Sequence, residues 1–238
     1  MLTLELHLLS NGHFTLDKSL LVYAKYQGEA YEAALKPLLI ITDEKRVLID
    51  TGIGELPEKY MKFHIVKRTP EETLKTQLQR YNLEPEDIDV IINTHLHFDH
   101  CGNNKDFANA LFYVQADELR YAHNPDRFQK SGYLQESFDV EVKYIPIQGS
   151  HRVTENINIL PTPGHSIGHQ SVVIRKGGKN IVYCGDAAPI RENIERRNIP
   201  GVLYRSDLAL RSIDRLRKIE NAEYIFAHER EDNLPKCL

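Results

Sequence analysis

Asn93-Thr94-His95-Leu96-His97-Phe98-Asp99-His100-Cys101-Gly102 packs four metal-ligand residue types into six positions, directly after the apolar run that ends at Ile92. Imidazole is a borderline donor suited to Zn, Fe, Ni or Cu, and a carboxylate adds a harder oxygen. His95 and His97 are two apart, so an extended chain end directs both to one side. Asp99 and His100 are adjacent, and a turn there can aim them at a second ion. Three further ligand-type residues follow the same pattern. His165, in Pro163-Gly164-His165, follows the apolar run Ile157–Pro161; Asp186 follows Asn180–Cys184; His228 follows Glu223–Ala227. Each stands just past the end of a strand, where a rigid scaffold presents loop residues at a sheet edge.

Working outward, strand-type runs recur at Leu2–Leu8, Leu20–Tyr26, Pro37–Thr42, Arg46–Asp50, Ile88–Asn93, Leu111–Val114, Val142–Ile145, Gln170–Arg175 and in the three runs just named. Asp43-Glu44 and Gly177-Gly178 read as hairpin loops. Thr69-Pro70-Glu71-Glu72 predicts a helix start with a capping box, followed by Leu74, Leu78 and Tyr81 on one face. A second helix is expected from Ser206 or Asp207 to about Ile219, with Ala209, Ile213 and Leu216 buried. Shorter helices are expected near Gly102–Ala108 and Ala116–His123. Helices interspersed with strands, without a linker or repeat, imply one domain, 1–238, with helices packed outside mixed sheets.

The 238 residues carry 30 Lys plus Arg against 34 Asp plus Glu, a net charge of −4. That balance argues against a nucleic-acid partner. No run approaches the ~20 apolar residues of a membrane span, so no membrane is expected as a partner. Three scattered cysteines, Cys101, Cys184 and Cys237, are too few for a disulfide framework and fit a reducing, cytoplasmic setting. The eleven histidines are the outlying feature of the composition. His7, His13, His64, His123 and His151 need no special role.

The His95-x-His97-x-Asp99-His100 motif, with His165, Asp186 and His228 in order, resembles the metallo-β-lactamase superfamily from Leu48-Ile49-Asp50-Thr51-Gly52 to His228. Within it, Thr162–Ser171 and Asp186–Asn193 resemble the N-acyl homoserine lactonase group. The resemblance implies an α/β fold, an αββα sandwich of two mixed sheets flanked by helices. It implies two divalent metal ions, zinc first with iron, manganese or cobalt as alternatives. His95, His97 and His165 would hold one ion, Asp99, His100 and His228 the other, and Asp186 would bridge them. The activity implied is hydrolysis of a lactone or related ester by a metal-bridging hydroxide, with Asp99 also orienting the nucleophile or taking a proton. Thioesters and phosphotriesters are alternative substrates, and iron-dependent oxidation of a sulfur substrate is an alternative on the same fold. Oxygen-reducing relatives place Glu where this chain has His97, which argues against that chemistry. The partner implied is a small-molecule substrate, with a homodimer as an option.

One position departs from the lactonase pattern. A tyrosine commonly lies three residues after the bridging Asp; this chain has Pro189, which offers no side-chain donor. Either Tyr204 or a nearby Tyr supplies the hydroxyl, or the substrate differs. His169 is expected to support the ligands rather than join them, and Cys101 and Cys184 to pack. Asp50 either steadies a ligating imidazole or shapes its turn. The basic stretch from Arg191 to Lys218 reads as a solvated helix face. Tyr23, Tyr26 and Tyr31 belong to a segment expected in the core, or at the pocket mouth or a dimer contact.

Overall fold

The computed structural model describes residues 4–61 and 65–230; His64 and Cys237 lie outside them. Fourteen strands are present among the described residues: β1 (Leu4–Leu8), β2 (His13–Asp17), β3 (Ala30–Ala34), β4 (Leu38–Thr42), β5 (Arg46–Ile49), β6 (Ile65–Lys67), β7 (Val90–Ile92), β8 (Leu111–Gln115), β9 (Lys143–Ile147), β10 (His151–Arg152), β11 (Ile157–Pro161), β12 (Gln170–Lys176), β13 (Lys179–Tyr183) and β14 (Ala222–Ile225). The helices are α1 (Glu58–Met61), α2 (Leu74–Gln79), α3 (Phe98–Cys101), α4 (Ala116–Ala122), α5 (Gln135–Phe138), α6 (Arg191–Glu195) and α7 (Ser206–Arg217).

Two mixed sheets carry the architecture, one ordered β1-β4-β5-β7-β8-β9 and the other β10-β11-β12-β13-β14. Alternation along each strand explains why they stack. Leu38 and Ile40, Val47 and Ile49, and Val90 and Ile92 turn one way and meet Ile159, Val172, Ile174, Ile181 and Tyr183 of the second sheet. The residues between them, Leu39, Leu48 and Ile91, turn outward onto Leu74 and Leu78 of α2. On the far side, Val182 and Cys184 pack against Leu216 of α7 and Ile194 of α6. Each central strand is therefore apolar on both faces, as a strand covered by layers on both sides must be. The layers are helix, sheet, sheet, helix, the αββα sandwich that the motif implies.

Pairing is antiparallel in the hairpins and parallel for β5–β7, β7–β8, β8–β9 and β13–β14. Gly177 and Gly178 both take positive φ, 57° and 77°, which the tight β12–β13 hairpin requires. α7 buries Ala209, Ser212, Ile213 and Leu216 at helical spacing.

Several local expectations are corrected. Leu20–Tyr26 is not a strand: its start closes a 3₁₀ turn, Lys18–Leu20, and Ala24 and Tyr26 take positive φ, which breaks any ladder. The strands of this region are β2 and β3, which join β6 in a small third sheet ordered β3-β2-β6. The alanine-rich Ala30–Ala34 has little strand propensity and is held there by pairing with β2. The capping box at Thr69 closes a 3₁₀ turn, Pro70–Glu72, and α2 begins only at Leu74, with the Thr73 hydroxyl accepting from Thr76 N–H. The helix expected at Gly102–Ala108 is shifted: α3 starts at Phe98, and a 3₁₀ turn follows at Asn104–Asp106. Among the described residues, no helix is long and apolar enough to cross a membrane.

Leu48 is fully buried between the first sheet and α2. Leu48→Ala should therefore cost about 2–5 kcal/mol in urea unfolding. Phe128, 63% exposed, should change stability by less than about 0.5 kcal/mol on substitution by Ala. Equal losses at the two positions would contradict this layering.

Candidate metal centre

The carboxyl ends of β5, β7, β11, β13 and β14 meet at one edge of the sandwich. The loops leaving them carry Asp50, His95 and His97, His165, Asp186 and His228, while α3 adds Asp99 and His100. All seven candidate ligands are thereby brought together from positions 133 residues apart at the extremes. Three groups of donor atoms lie within 4.8 Å of one another: His95, His97 and His165; His95, His100 and Asp186; and Asp99, His100 and His228.

Hydrogen bonds on the outer side of the rings determine which nitrogen faces inward. His165 Nδ1 donates to Val202 O at 3.0 Å, and His228 Nδ1 donates to Ala34 O at 2.8 Å. His100 Nδ1 lies 2.8 Å from Asp50 Oδ2. The Thr94 hydroxyl donates to Asp50 at 2.8 Å and so accepts from His95 Nδ1 at 3.1 Å. Each ring thus turns Nε2 inward, while His97 presents Nδ1. His165 Nε2 lies 3.2 Å from His95 Nε2 and 3.0 Å from His97 Nδ1, and His100 Nε2 lies 3.3 Å from His228 Nε2.

Asp186 stands between the two groups. Its Oδ1 is 3.2 Å from His228 Nε2 and 3.4 Å from His100 Nε2, and its Oδ2 is 3.4 Å from His165 Nε2. Oδ1 is nevertheless a buried oxygen that accepts no well-aligned hydrogen bond among the described residues. Donors this close, aimed past one another into a common space, fit two cations better than direct contact. Imidazole nitrogens with carboxylate oxygens are also a donor set suited to divalent transition ions.

The charges are uneven across the centre. Burial drives His95 and His97 well below the ordinary imidazole range, with the neighbouring histidines adding to the effect. Burial opposes the charged form of His100 too, but Asp186, Asp99 and Asp50 outweigh it and raise this group well above its usual value. His228 is raised against its burial in the same way, chiefly by Asp186. Asp186, despite burial, is held well below the carboxylate range by His228, His100 and His165.

Supporting residues surround this set. Asp50, at φ 58°, accepts Thr94 N–H at 2.7 Å as well as the His100 ring. His169 Nε2 accepts the Asp186 backbone N–H at 2.9 Å, so its Nδ1 carries the proton and donates to Thr162 at 2.9 Å. Thr162 then donates to Ser171 and Ser171 to Cys184 O, each at 2.8 Å. Burial lowers His169 to about 3, consistent with a neutral ring. A side chain on Gly185, φ 54°, would lie 2.7 Å from His169 Nε2, so only glycine permits this approach. Cys101 and Cys184 are buried and free, and burial raises both thiols.

A cleft of about 210 Å³ opens onto Asp99, His97, His165, Asp186 and His228. Phe14, Leu16, Leu20, Leu21, Phe98 and Phe128 form much of its wall. The segment around β2 thus lies at the pocket mouth, while Tyr26 and Tyr31 tie it down through Glu192 and Glu229. Pro189 lines the cleft, and its carbonyl accepts the His228 N–H at 3.0 Å. Tyr204 is not among the lining residues: its ring packs on Tyr121, and its N–H caps the Gly164 and His165 carbonyls. Arg197 and Arg205 of the basic stretch are paired with Asp214 and Asp207 at the surface. Glu118 escaped sequence reasoning. It sits in α4 beside the exposed Asp117 and gives no local sign that it is fully buried, accepting from Leu96, Tyr133, Ser166 and Gly168.

A family model described as the metallo-beta-lactamase superfamily matches residues 37–228. An N-acyl homoserine lactonase of Bacillus cereus is 32% identical over 238 residues, covering 94% of this chain and 93% of its own. A probable metallo-hydrolase of Methanocaldococcus jannaschii is 36% identical over 152 residues, 64% of this chain and 62% of its own. Among solved structures, an N-acyl homoserine lactone hydrolase with N-hexanoyl-L-homoserine at its catalytic metal centre superimposes with a TM-score of 0.83 at 30% identity, covering 94% and 93% of the two chains. A probable metal-dependent hydrolase from Staphylococcus aureus gives 0.86 at 25% identity over 95% and 89%.

His100 and His228 must shed protons before their Nε2 atoms can serve a cation. Their raised pKa values mean that protons compete more strongly as pH falls, so cation affinity should rise between about pH 6 and 8. Competition against a chelator measures this, and a flat affinity across that range would remove these two rings from the donor set.

Proposed function

The chain belongs to the metallo-β-lactamase superfamily, and from that membership we propose that it is a dinuclear metal-dependent hydrolase opening a lactone or related carboxylic ester, N-acyl homoserine lactones first among them. The observation that carries the proposal is the meeting of two three-donor groups on the shared Asp186 carboxylate at the floor of an apolar cleft. His95, His97 and His165 are assigned to one ion, Asp99, His100 and His228 to the other, and Asp186 to both. Imidazole and carboxylate donors make zinc the first choice. Divalent ions held there supply carbonyl polarisation and a water acidified from ~15.7 towards 7.

The chain's own residues do the rest. Asp99 reaches the cleft floor, with Oδ2 3.6–3.7 Å from the His228 and His100 nitrogens, where a carboxylate can orient a water and take its proton. The phenyl and leucyl wall receives the apolar part of a substrate and displaces water from it. A space of about 210 Å³ suits a small ring and its first substituents, leaving a longer acyl chain on the exposed rim of Leu20 and Phe128. Pro189 contributes wall at a position where the lactonase pattern has a hydroxyl. The lactone assignment draws further support from relatives that cover 94% of the chain.

The test is metal analysis of the purified protein beside a panel of lactones, simple esters, thioesters and phosphotriesters. Two equivalents of divalent metal and lactone opening are expected. Chelation, His97→Ala and Asp186→Ala should each lower the rate by more than about a hundredfold, since removing a ligand exceeds the 10–100-fold typical of its supporting groups. Phe128→Ala should raise KM for long acyl chains more than for short ones. Turnover of thioesters or phosphotriesters with lactones ignored would retire the lactone assignment and leave the metallohydrolase. Iron content with oxygen uptake on a sulfur substrate would retire both.

A further inference from the structure

We propose that Glu118 is the positioning residue of the three-histidine half of the centre, tying the loops that carry His95, His97 and His165 to one buried carboxylate. The proposal rests on the reading that the centre holds two cations. Glu118 is fully buried on α4. Its Oε1 accepts Leu96 N–H at 3.1 Å and the Tyr133 hydroxyl at 2.9 Å; its Oε2 accepts the Ser166 hydroxyl and Gly168 N–H, both at 2.8 Å. Leu96 lies between His95 and His97, and Ser166 and Gly168 follow His165. One carboxylate therefore spans two loops whose ligands are 70 residues apart in the pair His95 and His165. A Cβ on Gly168 would come within 2.5 Å of Glu118 Cβ, so the loop reaches the carboxylate because that side chain is missing. Tyr133 adds a third link, since its ring packs edge-on against His97 at 4.7 Å.

All four partners belong to the side of His95, His97 and His165. The other half is held by different groups, Asp50 on the His100 ring and Ala34 O on the His228 ring. Asp50 also reaches the His95 ring through Thr94, so Asp50 serves both halves and Glu118 serves the three-histidine half alone. The hydrogen-bond inventory makes Glu118 replaceable only by another carboxylate. Each of its oxygens receives one backbone N–H, which can only donate. Glutamine, of the same shape, presents NH₂ to one of those N–H groups whichever way it is turned, and one loop loses its backbone tether without a cavity being made.

The experiment is a titration of metal-free protein with Co²⁺, with no substrate present, following affinity and the paramagnetically shifted imidazole N–H resonances. The wild type should take two equivalents. Glu118→Gln should weaken one equivalent at least about tenfold, and the signals lost first should be those of His95, His97 and His165. Asp50→Asn should instead perturb the His100 signal first, with that of His95, which it reaches through Thr94, and leave those of His97 and His165 for last. Parallel weakening of both equivalents, early loss of the His100 and His228 signals in Glu118→Gln, wild-type behaviour of that variant, or fewer than two equivalents in the wild type would each overturn the proposal. If Glu118→Gln shows no cooperative unfolding, Ser166→Ala decides. It keeps both N–H tethers and should weaken the same equivalent a few-fold, whereas parallel loss would overturn the proposal. A protein that opens no lactone can still pass this test, and an active lactonase can still fail it.

Discussion

Five imidazole nitrogens turned towards one another at 3.0–3.3 Å are the constraint on which the rest of the structure depends. Inward-facing nitrogens repel, by their lone pairs in the neutral rings of His95 and His97 and by their charge where His100 and His228 hold a second proton, and burial removes the water that would otherwise separate them. Such a cluster persists only if its rings are held from outside and positive charge can enter the middle. Four rings are anchored by hydrogen bonds to Val202 O, Ala34 O, Thr94 and Asp50; the fifth, His97, has no partner on its outer Nε2 among the described residues and is held by packing on Tyr133. That requirement explains why residues far from the donors are polar and yet buried. The Thr162–Ser171–Cys184 chain behind His169 is one example, holding the backbone of Asp186 by a proton order that runs in a single direction.

Much of this was legible in the sequence because metal donors are chemically specific and crowd together. His95, His97, Asp99 and His100 lie within six residues, and His165, Asp186 and His228 each terminate an apolar run. Apart from the two-residue β10, which gave no run of its own, the strands that build the two large sheets were legible for a similar reason. The central ones are buried on both faces, so their apolar runs are continuous, and the ends of the strands moved by only a residue or two. What failed was the region between Ser10 and Lys36. Leu20–Tyr26 reads as a strand by composition, but its apolar residues are divided among core, cleft and solvent, with Val22 buried and Leu20 and Tyr23 exposed. Ala30–Ala34 reads as almost anything, and its partner β2 decides it. Local propensity cannot report a ladder whose other strand lies elsewhere in the chain. Tyr204 failed for a related reason. A tyrosine whose backbone N–H bonds the His165 carbonyl need not turn its hydroxyl into the cleft, and the ring is claimed by Tyr121.

Glu118 and Asp50 show two ways in which a buried carboxylate can organise such a centre. Asp50 touches a ligating ring directly and stands among the charges that raise His100. Its half of the centre includes Asp99 and is the side where positive charge is drawn most strongly. Glu118 touches no imidazole; burial raises its own pKa while donors from Leu96, Ser166, Gly168 and Tyr133 pull it back. Its charge is consumed by backbone and hydroxyl donors, and what it delivers is the placement of two loops. The division follows from the donors themselves. Three imidazoles bring no negative charge, so a second carboxylate at contact distance would change the net charge of their half and the acidity of whatever it holds. A carboxylate set one loop further out fixes the geometry and leaves that charge intact. Support by charge on one side and by geometry on the other keeps the two halves unequal while Asp186 joins them.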